Sequence, residues 1–129
     1  MIAFDTNLLV RLAVNDDLNQ AEIAEHLLGS NEVFVSSTVL LESEWVLRSV
    51  YKKSRSEIAQ YFENLLMTEN LLMENAIEVR HALEWYKLGA DFADAIHLCI
   101  CGDSVLHTFD SGFCKAAHDL NITPAFKVL

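Results

Sequence analysis

Short apolar runs alternate with longer amphipathic stretches along the chain, and this alternation predicts strands separated by helices. In the first amphipathic stretch, Leu8, Leu9 and Leu12 recur at helical spacing. Strands that alternate with helices form a parallel sheet covered by helices, so we expect an α/β fold with three α/β/α layers around a central parallel sheet of about five strands. Helices are predicted at 7–14, 19–28, 39–51, 57–66, 76–87, 92–101 and 113–119, and strands at 1–4, 33–35, 71–73, 105–109 and 123–129.

Length and composition predict a single domain over residues 1–129. The chain is 52% hydrophobic, which is ample for one buried core, and its four Gly and one Pro form no linker. No run approaches the roughly 18 apolar residues needed to cross a membrane, and no basic segment followed by an apolar one opens the chain. Three cysteines do not form a disulfide framework. We therefore expect a cytoplasmic protein without a membrane partner.

Two acidic residues follow predicted strands directly. Asp5 comes after the first strand and Asp110 after the fourth, so both carboxylates are expected at the carboxyl edge of the sheet, where ligands bind in open α/β folds. Taken alone, each of them fits equally well an Asx turn in which the carboxylate bonds to local backbone N–H groups.

Two further acids stand at helix positions that favour a site. Glu42 has Val39, Trp45 and Val46 within a turn, which predicts that it lies on or beside the apolar stripe and faces inward, whereas Glu44 has Arg48 four residues later as a surface partner. Asp94 opens an almost wholly apolar helix, and the first turn of a helix stabilises an anion. Asp91, three residues earlier, is expected to be the N-cap; the alternative is an outer ligand or a partner of metal-bound water.

The predicted sheet edge can bring Asp5, Glu42, Asp94 and Asp110 together. Carboxylates so close cannot all stay ionised without a cation, and oxygen ligands alone suit Mg²⁺ or Mn²⁺. Such ions often bridge to phosphate, generate hydroxide from water and stabilise a leaving oxygen. The pattern therefore indicates metal-assisted hydrolysis of a phosphate ester.

The charge of the chain changes the expected partners. Nine basic and nineteen acidic residues give a formal net charge of −10, which argues against a broad basic surface that grips nucleic acid. A metal site explains only a few of these acids. The rest indicate either a weak electrostatic grip on a polyanion or a basic protein partner.

Four motifs, in order and spread over nearly the whole chain, resemble those of the PIN domain family, and closely the VapC-type toxin ribonucleases of toxin–antitoxin pairs. Each motif is weak alone, but all four together at this length are a strong match. They are Asp5-Thr6-Asn7, Val39-Leu40-Leu41-Glu42, Phe92-Ala93-Asp94-Ala95-Ile96-His97-Leu98 and Thr108-Phe109-Asp110-Ser111-Gly112-Phe113.

The resemblance implies a metal-dependent endoribonuclease on a Rossmann-like sheet, usually homodimeric and held inactive by a cognate antitoxin. On this reading the four acids are the catalytic, metal-holding set for Mg²⁺ or Mn²⁺, with RNA as the substrate. Thr6 and Asn7 would support the site through hydrogen bonds, and Ser111 would contact metal-bound water or substrate. A basic antitoxin segment would match the acidic groove. Some PIN domains are not toxins and process RNA instead.

Three other readings remain open. A haloacid-dehalogenase-like phosphatase would use Asp5 as nucleophile, but Asn7 stands where that class needs a second acid. A PIN-like module that no longer cleaves would serve in interactions alone. A zinc site would draw on the histidines and cysteines at positions 97, 99, 101, 107, 114 and 118, although their spacing spreads them around a helix, so core packing is favoured.

Aromatic and apolar side chains outside the acidic set are expected in the core or a dimer contact. This applies to Trp45 and Trp85, which we favour as packing residues over base-stacking platforms. The stretch 57–72 carries more apolar side chains than one core face requires, which indicates a dimer interface there; they are Tyr61, Phe62, Leu65, Leu66 and Met67.

Overall fold

A computed structural model describes residues 1–115, 117 and 126–129 of the chain. Internal contacts divide the chain into two compact units, Met1–Ala76 and Ile77–Leu129. The expectation of one domain over residues 1–129 stays a prediction.

The first unit is built on a three-stranded parallel sheet. Its strands are β1 (Ile2–Ala3), β2 (Val33–Val35) and β3 (Leu71–Met73), in the spatial order β1-β2-β3. Val33 pairs with Ile2 on one side and with Leu71 on the other. Val33 and Val35 are fully buried, as expected for a central strand of a parallel sheet.

Four helices complete this unit: α1 (Thr6–Ala13), α2 (Leu18–Ser30), α3 (Ser37–Ser49) and α4 (Arg55–Leu66). Each begins after a residue whose side chain accepts a hydrogen bond from a backbone N–H of the first turn, which satisfies a donor that the helix itself cannot. These N-caps are Asp5, Asp17, Ser36 and Ser54.

The second unit contains α5 (Ala76–Lys87), α6 (Phe92–Ile100), β4 (Leu106–Thr108) and β5 (Phe126–Val128). The two strands pair in parallel, with Leu106 opposite Phe126. Both helices bury aromatic side chains, among them Trp85 and Phe92, and the rings of Tyr86 and Phe92 meet edge to face at 5.3 Å.

The mixed α/β class with parallel strands is confirmed. All five predicted strands are present, but each spans only two or three residues, and they form a three-stranded and a two-stranded sheet instead of one sheet of five. Positions 116, 118 and 119 of the helix predicted at 113–119, and positions 123–125 of the last predicted strand, lie outside the described residues. Among those residues, no helix has the length and apolar character that crossing a bilayer requires.

Some of the apolar side chains at 57–72 serve the protein's own core, whereas Met67 is 73% exposed, so the dimer interface expected there stays a prediction. Phe62 and Leu65 are buried, and the hydroxyl of Tyr61 donates to the carbonyl oxygen of Leu9 at 2.5 Å. Trp85 is buried as predicted, but Trp45 is 55% exposed and is not a core residue.

Candidate functional site

Asp5 links the end of β1 to the start of α1. The backbone N–H of Leu8 donates to Oδ1 of Asp5 at 3.2 Å, so this carboxylate is the N-cap of α1. The local backbone role that the sequence left open is therefore present. The side chain is nevertheless exposed, so a capping role leaves it accessible to a ligand.

Thr6 joins the beginning of α1 to the middle of α3. It is 8% exposed, and its hydroxyl donates a short hydrogen bond to Oε1 of Glu42. Thirty-six positions separate the two residues in sequence. The first unit thus brings together a residue of the Asp5-Thr6-Asn7 motif and the acid of the second motif.

Glu42 does not face inward, contrary to the sequence-based expectation. The buried stripe of α3 runs through Leu40, Ser43, Glu44 and Leu47, at the spacing of one helix face. Glu42 lies beside that stripe and is exposed. Its position in the site therefore cannot be argued from burial.

Glu44, which was expected at the surface, is only 5% exposed. The predicted partner is correct: Nε of Arg48 donates to Oε2 of Glu44 at 2.8 Å. This ion pair compensates the charge of a buried carboxylate.

In the second unit, Asp91 is the N-cap of α6, as favoured from the sequence. Its Oδ1 accepts the backbone N–H of Asp94 at 2.9 Å. Asp110 caps a tight turn: its Oδ1 accepts the N–H of Gly112 at 2.8 Å, and its own N–H donates to Oγ1 of Thr108 at 3.0 Å. Both acids are exposed, and so is Ser111 beside Asp110.

Asp94 lies in an electrostatic environment that is unfavourable to its charge. Partial burial raises its pKa, and the nearby carboxylates of Asp91 and Asp110 raise it further, against the opposing effects of His97 and a hydrogen bond from the backbone N–H of Cys114. Asp94 therefore senses the negative charges of Asp91 and Asp110, and a bound cation would relieve this repulsion.

Sequence reasoning missed the neighbours that complete this environment. Cys114 adopts a left-handed backbone conformation with φ of 40°, and its N–H reaches Asp94. An open cleft of about 500 Å³ lies here, and its lining includes Lys115, a cation in an acidic surrounding. The lining residues are Leu88, Gly89, Ala90, Asp91, Asp94, Gly112, Cys114 and Lys115. No periodicity or motif in the sequence indicated these contacts.

The first unit has an open cleft of its own, of about 400 Å³, beside Asp5. Arg11 and Gln20 were not among the expected site residues, because nothing in the spacing of the first two helices shows that these two side chains line one cleft. The lining residues are Asp5, Asn7, Leu8, Arg11, Gln20 and Ile23.

The donor chemistry fits a hard divalent cation in part. The carboxylates of Asp91 and Asp110 are close enough to Asp94 to raise its pKa, and carboxylate oxygens suit Mg²⁺ or Mn²⁺. Within the described part of the chain, however, no group of three or more His, Cys, Asp or Glu side chains is arranged to hold a metal ion. The zinc alternative has no ligand cluster there either; Cys99 is buried, His97 is exposed, and position 118 is not described.

Comparison with known proteins identifies the family. A family model for the PIN domain matches residues 2–119, which is most of the chain and includes all four motifs. A comparison with curated proteins finds no match. The mixed α/β structure with parallel strands is consistent with the PIN-like fold. The chain therefore belongs to the PIN domain family.

Proposed function

We propose that this PIN domain is a metal-dependent endoribonuclease that hydrolyses phosphodiester bonds of RNA, and that it is the toxin of a VapC-type toxin–antitoxin pair. PIN domains are in general nucleases that use a divalent metal. The observation that carries the proposal is the environment of Asp94, because a carboxylate whose pKa is raised by burial and by the neighbouring carboxylates of Asp91 and Asp110 is suited to a cation.

In this proposal Asp5 and Glu42 of the first unit act together with Asp94 and Asp110 of the second. When bound, Mg²⁺ or Mn²⁺ would supply an activated water and stabilise the leaving oxygen. Thr6 orients the carboxylate of Glu42 through its hydroxyl.

The remaining members of the set position these acids. Asp91 holds the first turn of α6, and with it the backbone of Asp94. Asn7 and Ser111 are both exposed beside an acid of the set. Asn7 is proposed to support the site through hydrogen bonds, and Ser111 to contact metal-bound water or substrate.

A basic antitoxin segment is the proposed inhibitor. Its support is the net charge of −10 together with the exposure of Asp5, Glu42, Asp91 and Asp110. Opposite charges raise the association rate and fix the partner's orientation. A synthetic Arg-rich peptide should inhibit cleavage at low salt and lose its effect at high salt; no inhibition at low salt would leave an RNA-processing PIN nuclease as the better assignment.

A homodimer is proposed from the resemblance to VapC-type proteins. The stretch 57–72 lends it little support, because Phe62 and Leu65 are buried within the chain. Trp45, 55% exposed on α3, is a better candidate contact. Sedimentation of the wild type and of Trp45→Ala tests this, with a monomeric wild type as the contrary result.

The nuclease proposal is tested by incubating the protein with a total RNA pool and mapping the cut ends. Cleavage is expected with Mn²⁺ and should disappear with EDTA or in Asp5→Ala. Asp103→Asn changes the same type of residue at an exposed turn outside the proposed site, so it should cleave like the wild type. Equal cleavage under all conditions would contradict the proposal.

A second candidate is a PIN domain that binds partners without cleaving. It is favoured by the absence of a ligand group of three or more side chains among the described residues. Calorimetry with Mn²⁺ separates the two, because a nuclease should bind the ion and lose affinity in Asp94→Asn, whereas a silent module should give no heat of binding in either protein.

A further inference from the structure

We propose that the cleft lined by α1 and the first two turns of α2 binds one unpaired nucleobase of the RNA, with guanine preferred. The inference deepens the proposed nuclease function and rests on it. It concerns the open cleft of about 400 Å³ lined by Asp5, Asn7, Leu8, Arg11, Gln20 and Ile23, all of which belong to the first unit.

The size and lining of this cleft suit a flat ring with a polar edge. Its volume falls in the range of small-ligand sites, and it combines apolar with amide and guanidinium groups as such sites do. Leu8 and Ile23 offer aliphatic surface, and Ile23 is 50% exposed. A base buries its faces against such surface while its edge is read by hydrogen bonds, which is how proteins recognise unpaired RNA bases.

A bare phosphate group suits this cleft less well than a base. The charge of Arg11 is already compensated, because its Nη1 donates to Oδ1 of Asp16 at 3.0 Å. The carboxylate of Asp5 lies in the lining as well and would repel an anion. Recognition through a neutral base avoids that repulsion.

The hydrogen bonds within the cleft leave donors available. Nε of Arg11 donates to Oε1 of Gln20 at 2.7 Å, so the amide oxygen of Gln20 is occupied and its Nε2 keeps two N–H donors. The guanidinium is held by Asp16 and by the hydroxyl of Tyr51, at 2.9 Å from Nη1. In the part of the chain that is described, these bonds use Nε and Nη1, and Nη2 of Arg11 makes none.

Nη2 of Arg11 and Nε2 of Gln20 are the donors available to read the edge of a base, and two donors distinguish guanine from adenine. Guanine presents two adjacent acceptors, O6 and N7, whereas adenine presents an acceptor beside a donor. Two donors can both be satisfied by guanine, while adenine would leave one of them opposed by its amino group. Asn7 offers both a donor and an acceptor and does not alter this preference.

Asp5 connects the cleft to the proposed chemistry, because it lines the cleft and belongs to the proposed catalytic set. A base held there would therefore belong to a nucleotide close to the bond that is cut. This makes a sharp prediction: cleavage sites should share a guanine at one fixed position.

The test uses a substitution that keeps the internal bond and removes the donor. Gln20→Glu preserves an acceptor for Nε of Arg11 but replaces the donor Nε2 by an acceptor. Gln60→Glu is the matched control, since Gln60 is an exposed amide on α4, bonded only locally to Asn64 at 2.9 Å, and the change in net charge is the same.

Cut ends are mapped on a randomised single-stranded RNA pool with Mn²⁺. Wild type and Gln60→Glu should show guanine enriched at one position, and Gln20→Glu should lower that preference about tenfold, the factor expected for a lost base-reading hydrogen bond. Cleavage without any base preference, or the same preference in all three proteins, would overturn the inference while leaving the nuclease proposal standing.

A binding assay keeps the inference testable without cleavage. Fluorescence anisotropy of labelled short oligoribonucleotides in EDTA compares guanine-containing with adenine-containing strands of equal length. The wild type should bind the guanine strand about tenfold more tightly, and only Gln20→Glu should lose this difference. Equal affinities for the two strands in the wild type would refute the base assignment; guanine-selective binding without cleavage of any RNA would refute the nuclease proposal alone.

Discussion

Replacing Asp94 by Asn should stabilise the metal-free protein, although it removes a proposed metal ligand. The pKa of Asp94 is raised by burial and by the carboxylates of Asp91 and Asp110. A raised pKa means that ionised Asp94 destabilises the folded state relative to the unfolded chain. Asn has nearly the same shape and can still accept the N–H of Cys114, so the substitution removes mainly the charge.

The expected gain is small but measurable. Each neighbouring carboxylate contributes about 0.5 kcal/mol of repulsion at a partly exposed position, where water screens the charges. The helix N-terminus favours the anion by about 0.5 kcal/mol and offsets part of this. A net gain of about 0.5 kcal/mol corresponds to a rise in Tm of about 2 °C for a chain of this size.

Thermal unfolding followed by circular dichroism, in EDTA at low salt, measures this difference. Because the pKa of Asp94 is raised in the folded state, wild type is stabilised by protonation of this carboxyl, and the stabilisation is complete below the ordinary pKa of 3.8. It is lost as the pH rises through the folded-state pKa. The advantage of Asp94→Asn should therefore be full at pH 7 and disappear near pH 4. Asp103→Asn, an exposed acid of the same unit, is the control and should show no comparable gain.

Saturating Mn²⁺ should reverse the order. An ion at 100 times its dissociation constant stabilises the protein that binds it by about 2.7 kcal/mol, which exceeds the gain from removing the charge. The reasoning would be refuted if Asp94→Asn were less stable than wild type in EDTA at pH 7, or if it gained no more than Asp103→Asn.

Two further predictions concern the cap of helix α4 and the reactivity of the cysteine thiols. Ser54→Ala should lower the free energy of unfolding in urea by about 1 kcal/mol, because it disrupts the reciprocal capping bonds at the start of α4. Ser56→Ala, two residues later, should change it by no more than about 0.5 kcal/mol. Equal losses in the two variants would contradict the capping argument. In the native protein at pH 8, iodoacetamide should label the half-exposed Cys101 first, since burial raises the pKa of Cys99 to about 12 and also raises that of Cys114. Peptide mass spectrometry checks the order, and early labelling of Cys99 would be the contrary result.

Much of the fold could be predicted because its signals are local. The N-cap Asp91 and the apolar runs at 33–35 and 71–73 each specify an element within a few residues. The division of the strands into a three-stranded and a two-stranded sheet could not be predicted, because pairing depends on contacts between distant segments such as Leu106 and Phe126.

The same holds for the site: its motifs are local in sequence and could be predicted, whereas its contacts between distant segments could not. Glu42 was expected to face the interior and Glu44 the surface, and the structure shows the reverse, because the buried face of α3 is rotated by less than one turn from the expected one. The apolar neighbours Val39 and Val46 did not indicate this rotation, since both are only half buried. The bond from Thr6 to Glu42 spans 36 positions. The sequence placed the right residue types in the right motifs, whereas the cleft with Arg11 and Gln20 required the packing of α1 against α2.

The most direct test of the central proposal is the number and strength of Mn²⁺ sites, measured by isothermal titration calorimetry on wild type and on Glu42→Gln, Asp94→Asn and Asp103→Asn. If acids of both units hold the same ion, Glu42→Gln and Asp94→Asn should each weaken one and the same binding event at least tenfold, and Asp103→Asn should not. Binding that is weakened by only one of the two site variants, or no binding to the wild type, would contradict the account.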